Sequence, residues 1–284
     1  MNKEKVLVSF SGGETSAFLA KWMLDNKSDV YEMVFVFANT GDEEEATLEF
    51  VRDCSLKWNI DIIWVEALVH HGERVSSSHK VVDFNSASRN REPFVEVIRK
   101  YGIPNQNFLH CNREMKLNPI HSYMRSIGWK DYFTAIGIRA DEIDRVNKNR
   151  IKQKLIYPFV SEKPTSKEEV SHWWSLQDFR LKIKSYRTNC RTCWKKSDKV
   201  LAEIHKKNPE YFDFNKQMES EFGKGKYVFF RRGRSTEELI KDLKGISKKP
   251  IDRHSNYNYQ ETLFEDSCDI YSICGGDESY NKKK

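Results

Sequence analysis

The chain has no apolar run approaching the roughly 18 residues that a membrane span requires, and it has no internal repeat. Met1-Asn2-Lys3-Glu4-Lys5 leads straight into a strand-like segment without a secretory h-region. A cytoplasmic protein without membrane association is expected. No Gly-Lys-Ser/Thr closes a Walker A loop, and neither His70-His71 nor the other histidines show a ligand spacing such as His-Glu-x-x-His. At 284 residues the chain can bury a sizeable core, which excludes a disulfide-stapled mini-protein. In a reducing compartment its six cysteines point to metal binding, redox chemistry or burial. The net charge of +6 suits an anionic ligand and equally suits ordinary solubility.

What is present is an alternation. Lys5-Val6-Leu7-Val8-Ser9-Phe10 is a short apolar run ending in Ser11-Gly12-Gly13, and Thr15 to Leu24 then repeats apolar residues at helical spacing. The pattern returns as a strand over Met33 to Ala38, a helix over Glu43 to Trp58 and a strand over Ile60 to Val65. Residues 66–89 are polar and aperiodic and are expected to form a loop that lies over a site. Pro93 to Tyr101 and Glu114 to Ile127 read as helices, Phe133 to Ile138 and Leu155 to Phe159 as strands. The fold class that follows is α/β, a doubly wound, mainly parallel, Rossmann-like sheet covered on both faces. The composition changes after Pro164, with helices expected over Ser166 to Gln177 and Lys195 to Lys207. The division is an α/β nucleotide domain over 1–164 and a smaller, mostly helical, cysteine-bearing basic region over 165–284.

Ser11-Gly12-Gly13-Glu14-Thr15-Ser16 carries the most chemical information. Consecutive glycines allow a sharp turn that aims amide N–H groups and the positive helix N-terminus at an anion, with hydroxyls from Ser11, Thr15 and Ser16 beside them. An ordinary capped βα turn uses the same residues.

The Ser-Gly-Gly-x-x-Ser string after the first strand resembles the PP-loop of the adenine-nucleotide α-hydrolase superfamily. Four further stretches, in the same order along the chain, resemble its phosphoadenosine phosphosulfate (PAPS) reductase-like family. They are Phe37 to Gly41, Ala87 to Phe94, Cys111 to Pro119 and Ile136 to Glu142. The resemblance implies that Ser11, Gly12, Gly13, Thr15 and Ser16 hold the nucleotide's phosphates. It places Asn39, Thr40 and Gly41 near the adenosine, and Lys116 and Arg139 at the phosphate or sulfate end, where point charge and planar fork suit oxyanions.

Cys190-x-x-Cys193 is a two-ligand unit. In iron–sulfur members of the family a Cys-Cys-x-x-Arg-Lys-x-x-Pro stretch precedes such a pair by about eighty residues. Cys111 lies 79 residues before Cys190, with Lys116 and Pro119 in register, but Asn112 stands at the second cysteine and Met115 at the arginine. The resemblance implies a [4Fe–4S] cluster on Cys111, Cys190 and Cys193, with zinc as the alternative metal. The fourth ligand is then expected from elsewhere, Cys274 with Cys268 as the substitute, since both lie in a polar tail where a packing cysteine is not expected. Cys54, inside a helix, reads as packing, as do Trp173 and Trp174. True reductases of the family carry a nucleophilic cysteine in a C-terminal Glu-Cys-Gly-Leu-His motif, of which Ile273-Cys274-Gly275-Gly276-Asp277 shares only Cys-Gly.

Gly223 to Pro250 holds nine basic and three acidic residues around Tyr227, Phe229 and Phe230. A strand with buried aromatics leading into a basic helix is favoured there over a nucleic-acid groove, because Leu239, Ile240, Leu243 and Ile246 form an apolar face. Three functions fit. The first is an ATP pyrophosphatase that uses Mg²⁺–ATP to adenylylate an acceptor for sulfur transfer, as in thiolation or phosphorothioation of DNA or RNA. The second is reduction of PAPS or its unphosphorylated analogue APS to sulfite with a thioredoxin-like donor. The third is a silent nucleotide- or nucleic-acid-binding subunit. Ser16, Lys116, Arg139 and Cys274 are the expected catalytic positions.

Overall fold

In a computed structural model, residues 3–225, 228–231 and 233–246 are described. Cys268, Cys274 and Tyr227 lie outside them. The chain runs β1 (Glu4–Phe10), α1 (Glu14–Lys27), β2 (Tyr31–Ala38), α2 (Glu45–Trp58), β3 (Ile62–Leu68), β4 (Ser78–Val82) and α3 (Glu92–Tyr101). It continues with α4 (His110–Asn112), a π-helical turn (Arg113–Leu117), α5 (Asn118–Ser126), β5 (Phe133–Ala135), β6 (Leu155–Ile156) and α6 (Pro158–Ser161). After these come α7 (Lys167–Ser175), α8 (Asp198–Lys207), α9 (Tyr211–Phe222) and α10 (Thr236–Gly245).

The six strands lie in the order β4-β3-β2-β1-β5-β6, all parallel except the β3–β4 pair. β1 is central, and from Val6 to Phe10 it is buried and apolar but for Ser9, because both of its faces are covered there. Val6, Val8 and Phe10 pack with Phe18, Leu19, Leu48, Val51 and Trp174 on one side, while Leu7 joins Val36, Val65, Ile120 and Met124 on the other. Cys54 belongs to the first of these cores. The strand order reverses between β1 and β5, and the crevice at the carboxyl ends of such a pair is where α/β sheets hold ligands.

Three expectations need correction. The segment over 66–89 is not all loop: β3 runs on to Leu68, and Ser78–Val82 forms the antiparallel edge strand, with Trp64 opposite Val82. Ser78, His79 and Lys80 are polar on both faces, so the sequence shows no alternation there. The expected Glu114 to Ile127 helix begins with a π-helical turn. Pro119 has no N–H to donate and its ring crowds the carbonyl four residues earlier, and a widened turn relieves both. The aromatic strand expected around Phe229 and Phe230 is absent among the described residues. Phe230 is instead buried with Phe94, Met115 and Met218.

The residues after Pro164 pack onto the sheet domain at several places. Val170 and Trp174 of α7 enter the main core, Met218 of α9 joins α3, and the Arg191 amide donates to the Asp42 carbonyl.

Candidate nucleotide site and the adjoining thiol cavity

Gly12 makes the turn after β1. Its φ is +82°, and a Cβ there would lie 2.6 Å from Cγ2 of Thr47. Gly13 has extended backbone and room for a side chain, its nearest neighbour being 3.8 Å away. Only the first glycine of the pair is required by conformation and space. The buried Ser16 hydroxyl donates to the Gly13 carbonyl (2.9 Å) and accepts from the Ser11 amide (3.1 Å) and the Ser11 hydroxyl (3.0 Å). One donor and two acceptors exhaust a hydroxyl, so Ser16 shapes the loop from within. No side chain caps α1, so the first-turn amides present the positive end of the helix to the crevice.

Two residues beyond β5, Gly137 packs so closely on the loop that an added Cβ would lie 3.4 Å from Cα of Ser16. Arg139 follows, buried, and donates to Asp141 (3.0 and 3.1 Å) and to the Thr15 hydroxyl (3.4 Å). Loop and arginine open into a cleft of about 610 Å³, lined also by Glu14, Glu142, Lys167, Arg180, Lys184 and Tyr186. A volume of this size is in the range of small-ligand sites.

Asn39, Thr40 and Gly41 are buried at the end of β2 and do not line this cleft. The Asn39 amide donates to Glu66 (2.6 Å) and to the Ser88 carbonyl (2.9 Å). The Thr40 amide and hydroxyl donate to Glu43 at 3.0 and 2.7 Å. Gly41, at φ +77°, meets Ser88 and Arg91 so closely that no other residue fits without strain. All three brace the loops around the crevice.

Lys116 and Arg139 line different cavities. Lys116, on the π turn, lines a second space of about 30 Å³ with Asp42, Cys111, Asn112, Cys190 and Cys193. π turns often occur at functional sites because they redirect side chains. Asn189, at φ +64°, turns the chain into Cys190, and the Cys193 amide closes onto the Cys190 carbonyl at 3.3 Å. The Thr40 hydroxyl lies 3.7 Å from the Cys190 sulfur. Burial pushes the Cys190 thiol well up, with Asp42 and Glu43 adding to the shift and Lys116 opposing it. Burial also raises Asp42, against the pull of Arg91 and Arg191, and raises Glu43, against Lys116 and Thr40.

Three of the expected metal ligands thus share one wall, and Cys274 lies outside the described residues. Among the described residues no three Cys, His, Asp or Glu side chains gather closely enough to hold a metal ion. A space of about 30 Å³ takes a water molecule or two. The described thiols by themselves do not complete the donor set of a four-iron cluster or a zinc ion.

The sequence reading missed Arg180, Lys184, Tyr186 and the buried Lys196. A signal was present: Phe179, Leu181 and Ile183 alternate with Arg180, Lys182 and Lys184, the period of an extended segment with one apolar and one basic side.

No helix of the described residues is long and apolar enough to cross a membrane. The chain is similar to an uncharacterised nin region protein, ORF290, of Escherichia phage lambda, 33% identical over 202 residues that cover 69% of this chain and 68% of that protein. An uncharacterised protein of Methanocaldococcus jannaschii is 28% identical over 175 residues, covering 61% of this chain and 30% of its relative. Among solved structures, the U34-tRNA thiolase NcsA from Methanococcus maripaludis with its [4Fe–4S] cluster covers 92% of this chain and 80% of its own, at 16% identity. The TM-score is 0.38, too low to carry an argument. The sequence pattern of the phosphoadenosine phosphosulfate reductase domain matches residues 5–156. That match starts in β1 and ends with the last residue of β6, so the sheet, the glycine turn and Arg139 all lie within it, and this chain belongs to the phosphoadenosine phosphosulfate reductase domain family.

Proposed function

We propose that the protein is a PP-loop ATP pyrophosphatase that adenylylates an acceptor for sulfur transfer. The observation that carries this reading is the uncapped first turn of α1, reached through Gly12 and joined by Arg139, at the mouth of a cleft of about 610 Å³ at the β1–β5 crossover. Mg²⁺–ATP enters as the substrate. The loop amides and Arg139 bind its anionic tail, and the acceptor's nucleophile attacks the α-phosphorus. The bond to the β-phosphate oxygen breaks and pyrophosphate leaves. A sulfur donor then displaces AMP from the acceptor. The chain's contribution is positioning and charge stabilisation of the leaving pyrophosphate, without a side-chain nucleophile. DNA or RNA is the acceptor class that this reading favours, and no step runs through a metal on the thiols.

Reduction of PAPS or APS is the second reading, favoured by the family itself. Its expected nucleophile, Cys274, lies outside the described residues, and Cys190, with its thiol pushed well up, is a poor thiolate. Anaerobic protein incubated with Mg²⁺–ATP, and separately with each adenylyl sulfate plus reduced thioredoxin, decides between the two. Pyrophosphate release that is lost in Arg139→Gln is expected. Sulfite release lost in Cys274→Ser, with no pyrophosphate, overturns the proposal in favour of the reductase. Iron and zinc analysis of the same preparation tests the metal expectation independently.

A further inference from the structure

Glu14 is an unusual residue for a phosphate loop, because its carboxylate stands in the first turn of α1, beside the amides that would receive an anion. It is engaged by Arg180, 166 residues later, whose Nε and Nη2 donate in parallel to its two oxygens at 3.0 and 3.1 Å. The same planar fork fits a phosphate equally well.

The backbone that delivers this guanidinium is anchored on both sides. Phe179 packs against Phe50, Trp58 and Trp174, Leu181 is buried in the main core, and Lys57 pairs with Asp178. Trp174 also donates its indole N–H to the Glu14 carbonyl at 2.9 Å, so one side chain registers both partners. The Arg180 side chain itself is 46% exposed and lines the cleft. Its backbone is held by packing, while its charged end, paired with Glu14, is partly open to the cleft.

We propose that Arg180 is a phosphate-binding residue of the cleft, held over the loop by Glu14 and transferred to the anionic tail of the nucleotide as it enters. The inference rests on the nucleotide reading above and deepens it. Exchange of one oxyanion for another keeps the guanidinium paired throughout. It leaves Glu14 as an electrostatic competitor that moderates affinity.

Titration calorimetry at low salt tests this, with Mg²⁺–ATP, tripolyphosphate and adenosine as probes. Arg180→Gln is expected to weaken ATP and tripolyphosphate at least tenfold and leave adenosine unchanged, with Arg180→Lys between. Glu14→Gln is expected to tighten ATP, and Arg180→Gln is expected to weaken it again in that background. Wild-type affinity for ATP in Arg180→Gln overturns the inference. So does complete rescue by Glu14→Gln, which would make Arg180 only a counter-charge, or an equal loss for adenosine, which would make its role structural. Near-UV dichroism of the tryptophans checks the packing of each variant. Wild-type protein that binds tripolyphosphate through Arg180 but not ATP sustains the inference and removes the nucleotide reading. Protein that binds neither overturns both.

Discussion

The ammonium of Lys196 donates to the carbonyl of Thr188 at 2.7 Å, a buried tie between the cleft at the glycine loop and the segment that carries the two cysteines. Thr188 lines the cleft, while Lys196, 5% exposed, lies three residues after Cys193. A second donation, to the Tyr186 carbonyl at 2.8 Å, extends the tie to another cleft residue. Burial pulls the Lys196 pKa down, and Cys193, Cys190, Asp42 and Glu44 oppose the shift.

Lys196→Met keeps the aliphatic stem and removes the donors. Leaving a buried carbonyl without its partner costs about 1 to 3 kcal/mol, so urea denaturation should show a lower midpoint with an unchanged slope. A midpoint equal to wild type would mean that the segment holds without this tie.

The two loop glycines should separate cleanly. Gly12→Ala forces a side chain into the left-handed region and against Thr47, a strain of about 1 to 3 kcal/mol before the clash is added. Gly13→Ala, in extended backbone with open space, should stay within about 0.5 kcal/mol of wild type. Thermal midpoints of the pair, compared side by side, check the contrast.

Asp42, 1% exposed, is held by Arg91 and more distantly by Arg191 at 3.6 Å. Removing one partner of a buried ion pair typically costs about 3 to 5 kcal/mol. Arg91→Met should therefore be strongly destabilising, and adding Asp42→Asn should recover part of the loss. A double variant no better than the single one would show that Asp42 is stabilised by Arg191 alone.

Burial, with Arg125 adding to it, lowers the pKa of His121 below its ordinary 6.5. The fold therefore favours the neutral ring, and the unfolded chain takes up its proton at a higher pH than the folded one. The stability from this group is fully present above about pH 6.5. It is lost as the pH falls through the lowered folded value. Urea midpoints at pH 7.5 and pH 5 should fall less in His121→Gln than in wild type; an identical fall would assign the effect elsewhere.

Much of the architecture is legible in the sequence. The run from Lys5 to Phe10, the glycine turn and the helical spacing after it are local patterns, and they fix backbone dihedrals and buried faces within a few residues. β1, α1 and their loop follow from them directly. The edge strand over Ser78–Val82 does not, because Ser78, His79 and Lys80 are polar on both faces and only Val81 and Val82 are apolar, so five residues show no period of two.

The sequence by itself determined that a glycine turn joins a doubly buried strand to a helix, and that the chain carries the family's ordered motifs. The tertiary structure alone decided which charged groups meet. It put Lys116 with the cysteines and Arg139 with the loop, turned Ser16 inward, and brought Arg180 onto Glu14. Periodicity along a chain records which face is buried. It carries no information about which buried face or charged end, more than a hundred residues away, closes against it, because that is set by packing the whole core at once.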